Sequence, residues 1–250
     1  TCSGALTITG TTAQITDALV TTNSLVVASS ANVTFSDDPT AAQLAAINTA
    51  VGGTITLDDD TQTFSGTASD VAAAFAGGLA NTQSGAVTIT DTTGTIAATT
   101  FTDITAQTTG AVGMASGGPT IQGTTAEITA ALVTAGTRIT AGATKVDFTD
   151  NPTAAQLSAI NAKTTGNITL HDDSQTFSGT ASDLSGAFSG GLQNTQTGAV
   201  TITDTSGTIT ATTLSGIGSA TDGVVTAASN GITISGTAAE LTAALVTAGS

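Results

Sequence analysis

The sequence predicts an α/β solenoid, a stack of strand–strand–short-helix coils with parallel β-sheets that forms an elongated rod. Three observations predict it. One long repeat runs through the chain at a constant offset of 113, without insertion or deletion. Each long repeat divides into segments that open on a helix cap. At each cap the apolar spacing changes from two to three and four.

The long repeat is read directly. Phe64-Ser65-Gly66-Thr67-Ala68-Ser69-Asp70 recurs from Phe177, Pro39-Thr40-Ala41-Ala42-Gln43-Leu44 from Pro152, and Ala86-Val87-Thr88-Ile89 from Ala199, all at the same offset. Gly10 returns as Gly123 and Gly236. The predicted organisation is one continuous solenoid: residues 1-113 the first long repeat of four coils, 114-226 the second, and 227-250 the start of a third. The chain opens at Thr1-Cys2-Ser3-Gly4 without a leader pattern and stops in mid-repeat, as a processed chain or a piece of a longer array does.

The caps set the coil boundaries. A Thr is followed three residues on by an acidic or amide residue at Thr11/Gln14, Thr67/Asp70, Thr100/Asp103, Thr124/Glu127, Thr180/Asp183 and Thr237/Glu240. Asp38-Pro39 and Asn151-Pro152 read as an N-cap with Pro at the first helical position. Starts at 11, 38, 67, 100 and 124 make four coils per long repeat. Thr213 has Gly216 in place of the acidic residue, so the eighth helix is expected to be the weakest. After the caps, Ile15 and Leu19, Leu44 and Ile47, and Val71, Phe75 and Leu79 fall on one helical face. Before them, Leu6/Ile8, Ile55/Leu57, Val87/Ile89 and Val146/Phe148 alternate with outward polar residues, mostly Thr. Equivalent strands of successive coils are expected to pair in parallel. Nine coils at ~4.8 Å each make a rod about 45 Å long.

Composition narrows the function. Charged residues are 8% of the chain, against roughly 25% in ordinary globular domains, while hydrophobic residues are 39%. Net charge is −15, and Arg138, Lys145 and Lys163 are the only basic residues, which excludes phosphate-neutralising nucleic-acid binding. No run approaches the ~20 apolar residues of a membrane span, so no membrane insertion is expected. Cys2, the one cysteine, forms no intramolecular disulfide; it reads as a plain thiol near a terminus, with lipidation or an intermolecular bridge the alternative.

Catalytic chemistry finds no footing. His171 is the only histidine and replaces Asp58 of the preceding repeat, so its position takes any polar residue. Zinc needs several Cys or His ligands. Gly77-Gly78 and Gly190-Gly191 follow helices and read as helix ends, not phosphate loops. No cofactor is required. Calcium is the one ligand to weigh: Asp59 and Asp91, repeated as Asp172 and Asp204, fall at strand ends that stacking would bring near one another, and close carboxylates repel unless a cation intervenes. Acidic turn chemistry accounts for the same residues without a metal.

Pro39-Thr40-Ala41-Ala42-Gln43-Leu44-Ala45-Ala46-Ile47-Asn48 and Gly85-Ala86-Val87-Thr88-Ile89-Thr90-Asp91 resemble the repeats of giant secreted bacterial surface proteins, notably cyanobacterial ones, in style and composition. The resemblance implies an extracellular or cell-surface role in a sheath, filament or surface layer and carries no catalytic residue. The expected function is therefore structural, not enzymatic: self-association into a homopolymer, with cell-surface polysaccharide a further partner. The alternative is an adhesin stalk or an ice- or glycan-binding face presenting Thr-rich strands such as Thr54-Ile55-Thr56 and Thr88-Ile89-Thr90.

Overall fold

The computed structural model describes residues 6–22, 26–115, 117–134 and 138–247. The chain is α/β, with short parallel sheets and, among the described residues, sixteen strands and nine α-helices. It divides into two compact units, one of residues 1–119 and 134–141, the other of 120–133 and 142–250.

In the first unit the elements are β1 (Thr7–Gly10), α1 (Thr12–Leu19), β2 (Asn32–Phe35), α2 (Ala41–Ala50), β3 (Ile55–Thr56), β4 (Phe64–Gly66), α3 (Ala68–Phe75), β5 (Val87–Ile89), β6 (Thr95–Ala97), α4 (Ala98–Gln107), β7 (Val112–Met114) and, from the second segment, β9 (Ile139–Thr140). The second unit holds β8 (Thr120–Gly123), α5 (Thr125–Ile128), β10 (Lys145–Phe148), α6 (Ala154–Asn161), β11 (Ile168–Thr169), β12 (Phe177–Gly179), α7 (Ala181–Phe188), β13 (Val200–Ile202), β14 (Gly207–Thr210), α8 (Ala211–Ser219), β15 (Val225–Ala227), β16 (Ile232–Ser235) and α9 (Ala238–Thr242). After α5 and α9 the chain continues as π-helical turns, Thr129–Thr134 and Ala243–Thr247.

Every strand pairing among the described residues is parallel and joins strands of successive sequence segments. In the first unit one ladder runs Ile8, Val33, Ile55 and, through an isolated bridge, Leu79. A second runs Phe64, Val87, Val112 and Ile139. The second unit repeats the first ladder as Ile121, Val146, Ile168 and Leu192, and the second as Phe177, Val200 and Val225. Ile209 and Ile234 form a further pair. These ladder residues point inward: Val33, Ile55, Val112, Ile121, Ile168 and Val200 are all fully buried. A strand holding one buried residue cannot shelter it alone, and the neighbours it needs come from the strands paired beside it.

The ladders and the helices do not keep step. Helix caps fall at Thr11, Thr40, Thr67, Ala97 and Thr124, at intervals of 29, 27, 30 and 27 that together make one long repeat. Within one ladder the steps are shorter, so the cap drifts away: Thr11 follows Ile8 by three places, Thr40 follows Val33 by seven, and Thr67 follows Ile55 by twelve. By that coil a new strand, β4, has formed beside the cap and begins the second ladder.

The helix starts correct the sequence expectation at four places. The caps are Thr40 and Thr153, not Asp38 and Asn151, because each Thr forms a reciprocal capping box with Gln43 or Gln156, which an Asp-Pro or Asn-Pro start cannot match. The Pro residues stand one place before the cap. Thr100 and Thr213 lie within the first turn, and the caps are Ala97 and Thr210, because β6 and β14 run directly into their helices. The eighth helix does have a side-chain cap, since Thr210 accepts the Thr213 amide, whereas Ala97 offers α4 none. Leu79 belongs to the first ladder and not to α3, which ends at Phe75. Gly77 and Gly78, with φ of 146° and 79°, end α3 as expected, and Gly190 and Gly191 do the same after α7.

The core is a repeated set. Phe64 meets Phe75 edge to face at 5.1 Å, and Phe177 meets Phe188 in the same way at 5.3 Å. Glycine permits the close approach of coils at one corner. A β-carbon on Gly85 would sit inside the van der Waals shell of the Gln62 carbonyl oxygen, and one on Gly110 would do the same to Gly85. Gly198 and Gly223 repeat the arrangement in the second unit.

Candidate functional site

The carboxylates proposed for calcium divide into two kinds. Asp59 is exposed and bonds within its own turn, accepting the Thr61 amide and hydroxyl at 2.7 Å each. Asp172 does the same with Ser174, at 2.8 and 2.7 Å. The hydroxyl bond first, then the amide bond, holds each carboxyl below its ordinary value.

Asp91 and Asp204 act between coils. Asp91 accepts the amide of Ala68, the first residue of α3, at 2.7 Å, and Asp204 accepts that of Ala181, the first of α7, at 2.7 Å. Each carboxylate comes from the coil after the helix it caps. It satisfies an amide with no intrahelical acceptor and places negative charge at the positive end of the helix dipole. Asp59 and Asp91 thus face different donors. Among the described residues, no group of three His, Cys, Asp or Glu side chains is placed to share a metal ion.

The same inter-coil bond occurs twice more, at residues the sequence reading passed over. Asp37 accepts both the amide and the hydroxyl of Thr12 at 2.7 Å, and Asp150 accepts those of Thr125 at 2.6 Å. The four capped helices are α1, α3, α5 and α7, every second one. At α2, α6 and α8 a glycine of the next coil packs there instead: a β-carbon on Gly66, Gly179 or Gly236 would press on the first alanine of the helix. A signal was available, an Asp standing 23 or 25 places beyond the first helical position. It has meaning only once the strand register is known.

Asp60 and Asp173 also bridge coils, each accepting from a side-chain amide, Asn81 or Asn194, at 2.7 Å. Beside them lie buried polar residues: Gln62, Gln83 and Thr108 in the first unit, Gln175, Gln196 and Thr221 in the second. Thr108 donates to the Gln83 carbonyl at 3.1 Å and Thr221 to that of Gln196 at 2.9 Å. Arg138 donates to the Thr105 and Thr108 carbonyls at 3.1 Å, at the C-terminal end of α4. His171 is exposed in the turn before Asp172. Cys2 lies outside the described residues.

Outward strand positions form lanes of hydroxyls. Thr9, Thr34 and Thr56 stand in register, as do Ser178, Thr201 and Thr226. In the second unit the lane equivalent to the first reads Gln122, Asp147 and Thr169, with Gln122 donating to Asp147 at 2.6 Å. No helix among the described residues is long and apolar enough to cross a membrane. Comparison with family models, curated proteins and solved structures finds no match.

Proposed function

We propose that the protein is a non-catalytic structural repeat protein of the cell surface or extracellular space, a solenoid of strand–helix coils that builds a filament, sheath or surface layer by self-association. The observation that carries this reading is where the polar side chains go. Asp37, Asp91, Asp150 and Asp204 bond across coil boundaries, as do Asp60 and Asp173, and the same roles recur one long repeat apart. A catalytic centre needs a unique constellation, whereas repetition of one joint serves extension. The scarcity of Lys and Arg suits exposure to trypsin-like proteases outside the cell. Cell-surface polysaccharide is the lateral partner this reading admits. Electron microscopy of native material, with light scattering of the purified chain, tests it: fibres, sheets or concentration-dependent growth are expected, and a monodisperse monomer at all concentrations would overturn it.

The in-register hydroxyl lanes favour a second reading, a water-ordering or glycan-binding face. Thermal hysteresis in a dilute solution would support the ice-binding form; its absence disposes of it. Interruption of the lane by Gln122 and Asp147 argues for the structural reading.

A further inference from the structure

Two buried glutamines in each unit leave a polar atom unbonded, one a donor and the other an acceptor. In the first unit they are Gln62 and Gln83, 7% and 1% exposed. Nε2 of Gln62 and Oε1 of Gln83 are buried and have no hydrogen-bond partner among the described residues. In the second unit Gln175 and Gln196 have the same exposures, and the same two atoms, Nε2 of Gln175 and Oε1 of Gln196, are left over. Buried polar atoms are bonded in the great majority of cases, because leaving one unmatched costs its full desolvation. The same mismatch at both places, one long repeat apart, is a feature of the fold that calls for a partner.

The strand register brings each pair together. Phe64 pairs with Val87, and the Ser84 amide donates to the Asp60 carbonyl, so Gln62 stands opposite Gly85 and Asp60 opposite Gln83. Burial alternates along both segments, and it puts Gln62 and Phe64 inward on one, Gln83, Gly85 and Val87 inward on the other. Gln62 and Gln83 are therefore diagonal neighbours on the inward face. Strand spacing and rise set their Cα atoms roughly 8 Å apart, within reach of two long side chains. The head of Gln83 is fixed. Its Nε2 donates to the Asn81 carbonyl at 3.0 Å and to Asp60 at 3.5 Å, which turns Oε1 away from that carboxylate. Gly85 brings no side chain to the row beside Gln62.

We propose that each pair holds one internal water molecule, which accepts from Gln62 Nε2 and donates to Gln83 Oε1, and does the same between Gln175 and Gln196. The two atoms set the class of the ligand. A metal cation satisfies Oε1 alone, and an anion satisfies Nε2 alone. A small neutral molecule that both accepts and donates serves the two together, and water is the smallest that does. The water extends the bond network of Asp60, which already bridges two coils through Asn81 and Gln83, onward to Gln62. Each site lies inside one unit, so it stands whether or not the chain self-associates.

Nuclear magnetic resonance of the isotope-labelled chain tests it. Dipolar cross-peaks between water and the side-chain amide protons of Gln62 and Gln175 are expected, distinguished from proton exchange by their sign in the rotating frame. Amide protons without a water contact, or a hydrogen-bond coupling directly from Gln62 Nε2 to the Gln83 side-chain carbonyl, overturn the site. Gln62→Met gives an independent reading, since methionine keeps the length of the side chain and loses its donor. A lower urea midpoint is expected, with the water contact of Gln62 gone and that of Gln175 retained. If Gln62 bonds nothing, removing the orphan leaves the midpoint unmoved or raises it, and that result overturns the proposal. If Gln62→Met does not fold, the cross-peaks of the parent chain decide alone.

Discussion

Asp91 reaches back one coil to the amide of Ala68, whereas Asp59 bonds only within its own turn. The sequence presents the two alike, as acidic residues after strands, and only the parallel register separates them. Asp91→Ala leaves the first amide of α3 without its acceptor and is expected to cost about 1–2 kcal/mol in urea unfolding. Asp91→Asn keeps an oxygen in place and costs less. An equal loss from Asp59→Ala would contradict the assignment. Glycines divide in the same way. Gly85→Ala drives a β-carbon into the Gln62 carbonyl and is expected to cost about 3 kcal/mol or more. Gly113→Ala meets only the Val87 carbonyl, at 4.0 Å, and should stay within about 0.5 kcal/mol of the parent. Comparison of the two unfolding midpoints checks both.

Among the elements, α4 stands out because its cap is Ala97 while its counterpart α8 has Thr210. Ala97 already holds the extended cap conformation, φ −63° and ψ 137°. Ala97→Thr is therefore expected to stabilise the chain by about 1 kcal/mol, read as a rise in the urea midpoint. The strands and most caps were legible because each is a local pattern: Thr11 with Gln14, Thr67 with Asp70, Val87 alternating with Ile89. The cap at Thr40 was hidden by Asp38-Pro39, a good local start outcompeted by the two-bond box that Thr40 forms with Gln43. Ala97 was not legible at all, since no side chain marks it and the incoming strand fixes the helix start. The odd–even alternation of Asp37, Asp91, Asp150 and Asp204 was equally hidden, because each bond spans a whole coil and only the register aligns its two ends.

At the scale of the whole molecule the charge of −15 is borne largely by carboxylates fixed in hydrogen bonds. Asp59, Asp172 and Glu240 are held below their ordinary values by the Thr61, Ser174 and Thr237 donors. A carboxyl lowered by folding adds stability above its unfolded value, and that stability is lost as pH falls through the folded one. The melting temperature is therefore expected to hold from neutral pH to about 5 and to fall below about 4. Calcium is tested in the same melting experiment. If Asp59, Asp91, Asp172 and Asp204 bind it, calcium raises the melting temperature and Asp59→Asn with Asp172→Asn abolishes the rise. A temperature unmoved by calcium and by chelator removes the metal from the account.

The drift between ladders and helices has a mechanical consequence. Each ladder outlasts the start of its successor, so at the boundary where Ile55 meets Leu79 the pair Phe64 and Val87 is already engaged, and Ile168–Leu192 overlaps Phe177–Val200 in the same way. Load at those boundaries is shared by two seams, as in the staggered splice of a rope, and a tear that starts in one ladder finds the next already fastened.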